Sequence, residues 1–509
     1  MYKPAIFLFL FNSLFCVVIA QTKDSTTAKH KENEQPRTEI SHGVVTIDGE
    51  RINYTSTAGT LILKNDKKEK TASMFYISYT KDGVKDINHR PVTFCYNGGP
   101  GGSSVLVNLG GFGPTRVITA DAEPTPPPPY QIQENPYSLL NNTDLVFIDA
   151  VGTGYSELLE KGTGSDFWGC DADVKSFSDF IYQYLNKNNL WNRPKFLLGE
   201  SYGTPRSAML ANRLQQQGIA LNGIILISSI LNFNNEFWFQ PPGSNDLSYE
   251  LYLPSYAAIA WHHKKLPNQP ASLQNFLEEV RGFTLGDYAQ ALSKGDLIPQ
   301  TSYANVVRHL HNYTGLSEAY LKEANLRVTP QRFEKELLRD ERKTLGRYDA
   351  RYQGIDFDAA GENPDYDPSA TAMFPAVVSA FHDYLLNKLD YKSESDYVFL
   401  SYKVNGAWDW HHTVGEHKYP VPNTLPDLQE VMTQNPYLHV FSGNGYYDLA
   451  TPFFKTEYEL NHLNLAPELQ KHITVKHYED GHMIYLHEEA LKSIHNDLNI
   501  FYKQATGGK

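Results

Sequence analysis

Hydrophobic and polar positions change their rhythm several times along this chain. Residues 43–47, 59–63 and 73–79 alternate apolar with polar side chains, which predicts an antiparallel β-meander. Residues 91–96, 145–148, 196–198 and 224–227 are instead short apolar runs that end near Gly, Asn, Asp or Ser, and longer segments of helical period such as 173–185 separate them. That alternation predicts parallel strands joined by crossover helices, with ligands at the carboxyl ends of the strands. From 233 to 393 the pattern is polar, aromatic and helical, without a convincing parallel strand, and it reads as an inserted cap. The strand pattern resumes at 437–441 and 473–478, and an amphipathic helix over 488–502 closes the chain. The core is therefore expected to be discontinuous, residues 39–232 and 394–509 around a cap of 233–393.

The amino terminus has a different logic. Lys3 supplies a positive charge, residues 5–20 are almost wholly apolar, and Val18-Ile19-Ala20 before Gln21 fits a cleavage site, so residues 1–20 read as an export signal. The run is short for a membrane span, and the polar stretch over 21–38 reads as a flexible leader rather than a stop-transfer flank. The expectation is a secreted or periplasmic protein with no membrane attachment after cleavage. Removal of Cys16 would leave Cys95 and Cys170, which could form one disulfide in an oxidising compartment or remain as two buried thiols.

Composition narrows the class. With 41% hydrophobic and 20% charged residues in 509, the chain can bury a large core. Its net charge of −13 opposes attraction to phosphate backbones, which excludes nucleic acid as an expected partner. The pairs His262-His263 and His411-His412 lack a carboxylate spacing that would complete a metal site, so no metal or cofactor is expected.

Candidate chemistry sits at the strand ends. Gly199-Glu200-Ser201-Tyr202-Gly203 matches G-x-S-x-G between a predicted strand and a predicted helix, where a sharp turn pushes the serine into the cleft and side chains on the glycines would clash. A serine hydroxyl needs an imidazole to take its proton and a carboxylate to orient that imidazole. In this topology the order is serine, acid, histidine. Asp448 follows the strand at 437–441, and His482 follows the strand at 473–478. Glu479, Asp480, His477 and His487 are the competing acids and imidazoles. The segment Asn97-Gly98-Gly99-Pro100-Gly101-Gly102 follows the strand at 91–96, and its glycines would let backbone N–H groups join that of Tyr202 in an oxyanion hole, each donor contributing about 3 kcal/mol. The expected fold is thus an α/β-hydrolase fold, a mostly parallel central sheet with an inserted, mainly helical cap.

Taken in order, these segments resemble the serine carboxypeptidase family over most of the chain after about residue 70. The resemblance is carried by residues 96–104, by Phe147-Ile148-Asp149 with Val151-Gly152-Thr153-Gly154-Tyr155-Ser156, by residues 199–202, and by Asp448 with Gly481-His482-Met483. It implies a triad of Ser201, Asp448 and His482, oxyanion amides from Gly99 and Tyr202, peptide substrates, and binding of a terminal carboxylate by Asn97, the Gly98 backbone and Glu200. The family's partner glutamate for Glu200 falls at Gly111 here, Gly102 replaces a usual cysteine, and the triad acid region reads Gly445-Tyr446-Tyr447-Asp448. Carboxylate recognition is therefore incomplete on the family pattern.

Arg206, five residues after Ser201, offers a substitute guanidinium, or else pairs with an acid inside the core. Trp238, Phe239, Trp408 and Trp410 are candidates for the substrate-pocket wall or for the core. The reading is a serine-type exopeptidase. Its alternatives are an acyltransferase, esterase or aminopeptidase on the same triad, and a non-catalytic binding protein, which would be marked by loss of a triad member.

Overall fold

The computed structural model describes residues 35–239 and 245–507. The proposed signal segment therefore lies outside the described residues, as do most of the proposed leader and residues 240–244. Among the described residues no helix is long and apolar enough to cross a membrane.

One sheet organises the molecule. In chain order its principal strands are β1 (Thr38–Ile47), β2 (Glu50–Lys64), β3 (Lys70–Lys81), β4 (Val92–Tyr96), β5 (Asp144–Ile148), β6 (Lys195–Glu200), β7 (Gly223–Ile227), β8 (His439–Gly445) and β9 (Ile473–Tyr478). Their spatial order is β1-β2-β3-β5-β4-β6-β7-β8-β9, with a short tenth strand, Glu157–Leu158, beside β3. The meander β1 to β3 is antiparallel and joins β5 antiparallel. From β5 through β9 every pairing is parallel. The antiparallel strands are longer than their sequence patterns suggest, because ladder hydrogen bonds continue past the last alternating side chain.

The parallel strands are buried on both faces, which explains their unbroken apolar runs. On one face Cys95, Phe147, Phe196, Leu198, Ile225 and Phe441 pack against the last helix, Glu488–Ala505, through Leu491, Leu498 and Phe501. On the other, Phe94, Val146, Leu197, Ile224 and Val440 meet α1 (Cys170–Asn188) and α2 (Gly203–Gln216). Cys95 and Cys170 thus belong to opposite faces of the sheet, and both are buried free thiols. The disulfide alternative is corrected by that placement.

The inserted segment has a core of its own. The helix Leu247–His262 gathers Phe276, Val280, Phe283, Val307 and Phe333 into a separate apolar cluster, which reaches the main body through Tyr446, Tyr447 and Phe453. The helix Pro368–Asn387 behaves differently: Met373, Val377 and Phe381 join the cluster of the central sheet. Within 233–393, then, the earlier helices form a cap and the last helix packs with the sheet. Such a sheet, with its parallel half carrying helices on both faces, is the α/β-hydrolase fold.

Candidate active site

The end of β6 turns sharply into α2 at Ser201. Its φ of 57° lies in the left-handed region, an arrangement that side-chain-bearing residues adopt at a cost of about 1–3 kcal/mol and that recurs at functional sites. Hydrogen bonds from Ser201 N to Ile227 O (2.9 Å) and from Thr204 N to Ser201 O (2.8 Å) fix the turn. A Cβ on Gly199 would stand 2.1 Å from Gly203 O, so this turn needs glycine there.

The loop after β4 lies against the same turn. A Cβ on Gly98 would meet Tyr202 N at 2.3 Å, and Gly99 and Gly101 have φ of 109° and 103°. These glycines bring the backbone of 98–101 beside the amide of Tyr202. Asp149 anchors the far end of the loop, accepting from Ser104 N and Ser104 Oγ, each at 2.8 Å, and from Tyr397 Oη at 2.9 Å.

Asp448 and His482 come from the ends of β8 and β9. Asp448 Oδ2 and His482 Nδ1 are 2.7 Å apart, and Asp448 also accepts from Ala450 N, Thr451 N and Thr451 Oγ1. His482 N donates to Tyr348 O (2.6 Å), and His482 O accepts from Ser228 Oγ (2.5 Å). Behind this loop Arg351 bridges Asp349 and Asp480 at 2.7 and 2.6 Å. With His487, those two acids form a group spaced like metal ligands, and the Arg351 guanidinium already sits among all three. His477 instead faces Glu457, and His412 bridges Asp171 and Asp427, which raises its pKa to about 9 against the opposing effect of burial.

Ser201, His482, Asn97, Gly98, Gly99, Glu200 and Tyr202 line one cavity of about 540 Å³. A more open groove of about 800 Å³ beside β2 and α1 contains none of these residues. His482 Nε2 faces Glu200 Oε1 at 3.4 Å. Burial raises the pKa of Glu200, while His482, Asn97 and the Gly98 N–H hold the rise back. Burial alone would lower that of His482, but the charges of Asp448 and Glu200 prevail and raise it. The carboxyl and the imidazole are therefore close enough for the charge of each to shift the protonation of the other.

Asn97 ties the cluster together. Its Nδ2 donates to Glu200 Oε2 (2.8 Å) and Tyr485 Oη (3.3 Å), and its Oδ1 accepts from Val107 N (3.0 Å). The hydroxyl of Tyr485 also reaches Glu200. Its side chain occupies the space over Gly111, where an added Cβ would meet Tyr485 Cβ at 2.5 Å. A phenol thus stands beside Glu200 in this chain, supplied from three residues beyond His482.

Arg206 is not in the cavity. It is fully buried beneath the turn, with Nε on Asp173 Oδ2 (2.5 Å), Nη1 on Asn97 O (2.8 Å) and its guanidinium 4.4 Å from the Phe177 ring centroid. Its expected role on a substrate carboxylate is corrected: it pairs inside the core and braces Asn97 from below. Of the four aromatic wall candidates, Trp238 and Trp410 line the cavity, Phe239 packs on Trp410, and Trp408 is buried against Tyr202.

A family model described as serine carboxypeptidase matches residues 49–485. The chain belongs to the serine carboxypeptidase family. Serine carboxypeptidase-like 36 of Arabidopsis thaliana is 27% identical over 198 residues, 37% of this chain and 38% of that protein. Serine carboxypeptidase-like 44 of the same plant is 33% identical over 137 residues, 26% of this chain and 25% of its own length. The chain is thus aligned to well under half of either curated relative. Among solved structures, a prohormone-processing carboxypeptidase from Saccharomyces cerevisiae superposes with a TM-score of 0.54 at 16% identity, covering 88% of this chain and 91% of that one, which supports the shared fold.

Sequence reasoning in this family member missed Asp173, Tyr348, Arg351 and Tyr485. Asp173 carried a weak signal, an acid within an otherwise apolar helical face. Tyr485 is close to His482 in sequence, yet nothing local says that its ring returns to Gly111.

Proposed function

We propose that this chain is a serine-type carboxypeptidase, hydrolysing the C-terminal peptide bond through an acyl-enzyme on Ser201. The observation that carries the reading is one cavity in which the Ser201 turn, the Asp448–His482 pair and the Asn97–Glu200 pair meet.

In this mechanism Ser201 Oγ attacks the scissile carbonyl while His482 Nε2 takes its proton, and Asp448 keeps the Nδ1 proton in place. The N–H groups of Gly99 and Tyr202 receive the developing oxyanion. His482 then returns the proton to the leaving amine, and water, activated by the same imidazole, frees the acyl group. Burial favours the protonated form of Glu200, which in that form donates to the terminal carboxylate of the substrate, alongside Asn97 and the Gly98 N–H. Tyr485 takes the place beside Glu200 that Gly111 leaves without a carboxyl group. The chain is further read as exported, on the strength of residues 1–20.

Two measurements test the reading. A fluorophosphonate should label the wild-type protein and fail to label a folded Ser201→Ala variant. A blocked dipeptide with a free carboxyl terminus should be cleaved far faster than its carboxyl-terminal amide. Labelling with equal rates on acid and amide would instead favour an esterase, acyltransferase or aminopeptidase with the same triad, the reading to which the missing glutamate at Gly111 points.

A further inference from the structure

The cavity contains a cation that the mechanism does not use. Arg347 lines it with Ser201 and His482, half-buried, with its guanidinium 5.6 Å from the Trp238 ring centroid and 5.4 Å from that of Tyr348. The Tyr348 ring in turn lies 5.3 Å from the His482 imidazole, so the guanidinium is one ring removed from the catalytic base. The backbone here is fixed on both sides: Arg347 N donates to Asp367 Oδ1 (3.1 Å) and Arg347 O accepts from Leu449 N (3.1 Å).

Among the described residues, no carboxylate forms an ion pair with this guanidinium. The acids whose charge acts on Arg347 are Asp367, Glu334 and Glu236, and none is paired with it. Asp367 caps the helix Pro368–Asn387, accepting from Ser369 N (2.9 Å). Glu236 is held by Lys455. Glu334 is buried and its pKa is pushed up to about 8, so it carries little charge at neutral pH. A guanidinium held within cation–π reach of two rings keeps its charge, and its planar fork of donors suits a carboxylate.

We propose that Arg347 forms an anion-binding subsite that selects substrates with an Asp or Glu side chain next to the scissile bond. This rests on the carboxypeptidase reading for the reaction, but the subsite is defined by the charge of the substrate side chain. The terminal carboxylate already has Asn97 and Glu200, and Arg347 is the one Lys or Arg side chain lining the cavity among the described residues.

The test compares blocked dipeptides carrying Glu, Gln or Lys at the last position, and a second set varied at the penultimate position, each as free acid and as amide. In one of the two sets, wild type should prefer Glu over isosteric Gln by about 10-fold or more in kcat/KM, the range of a charge-assisted hydrogen bond. Arg347→Gln should bring that ratio close to one, Arg347→Lys should keep part of it, and Arg347→Glu should reverse it in favour of Lys. Fluorophosphonate labelling of each variant reports that Ser201 is still presented. A Glu-to-Gln ratio near one in wild type, or a wild-type preference that persists in labelled Arg347→Gln, overturns the proposal. A loss confined to free acids whatever the side chain also overturns it, by assigning Arg347 to the terminal carboxylate. Should acid and amide be cleaved alike while the Glu preference still depends on Arg347, the carboxypeptidase reading fails and the subsite stands.

Discussion

The floor and the wall of the cavity are built in different ways. The floor is made where strands end: Ser201 after β6, the glycine loop after β4, Asp448 after β8 and His482 after β9. Each group is placed by a turn a few residues long, and adjacent parallel strands bring those turns together. The wall is made by the cap segment around 347–351, whose hold on the His482 loop is through Tyr348 O and Arg351. The two arginines show the contrast. Arg206, under the floor, is sealed by Asp173, while Arg347, in the wall, faces the cavity without an ion-pair partner among the described residues. In the proposed mechanism the floor carries the bond-breaking groups and the recognition of the terminal carboxylate, whereas the wall is free to select the substrate side chain.

The largest expected effect separates the floor from everything else. Ser201→Ala should lower kcat by about 10⁵-fold without unfolding the protein, measured as turnover beside thermal melting. Next comes the comparison of the arginines by denaturant unfolding. Arg206→Ala leaves Asp173 buried and unpaired, and should cost about 3–5 kcal/mol. Arg347→Gln, half-buried and without an ion pair, should cost no more than about 1 kcal/mol. Equal losses would erase the distinction between sealed and open cations.

A pH profile sharpens the floor itself. The proposed mechanism needs neutral His482, whose pKa is lowered by burial but raised overall by Asp448 and Glu200, so kcat/KM should climb as pH rises through that pKa. Glu200→Gln removes a carboxyl group whose charge, once ionised, stabilises the imidazolium, so on an ester substrate the acid limb should move to lower pH. For free-acid peptides, wild-type KM should rise with pH as Glu200 loses its proton, since an ionised carboxylate repels the substrate's own; in Glu200→Gln that rise should vanish. The smallest change is expected from Tyr485→Phe, which removes one neutral hydroxyl from Asn97 and Glu200. It should raise KM for free acids by about 5-fold, as for a single hydrogen bond of about 1 kcal/mol, and leave ester hydrolysis nearly unaffected.

Much of the floor was legible in the sequence because it depends on near neighbours. A strand that ends in Gly-x-Ser-x-Gly has few sterically permitted continuations, as the 2.1 Å clash awaiting a Cβ on Gly199 shows. Runs buried on both faces declared the parallel strands, and chain order then located Asp448 and His482 at successive strand ends. Strand limits were less legible: the run at 437–441 belongs to a strand of His439–Gly445, because pairing with β7 and β9 sustains the strand through Gly443 and Gly445 where side chains give no signal.

What only the tertiary structure decided is the partner of each long or reactive side chain. Arg206 could point to substrate or core until α1 delivered Asp173 beneath the turn. Cys95 and Cys170 remain thiols because the sheet runs between them. Tyr485 occupies the space over Gly111, and Arg347 reaches the cavity from a segment more than a hundred residues beyond Ser201. Periodicity and steric limits act over a few residues and can be read along the chain. The neighbours of a guanidinium, a thiol or a phenol are set by how distant elements pack, and that arrangement is visible only once the sheet and cap are assembled.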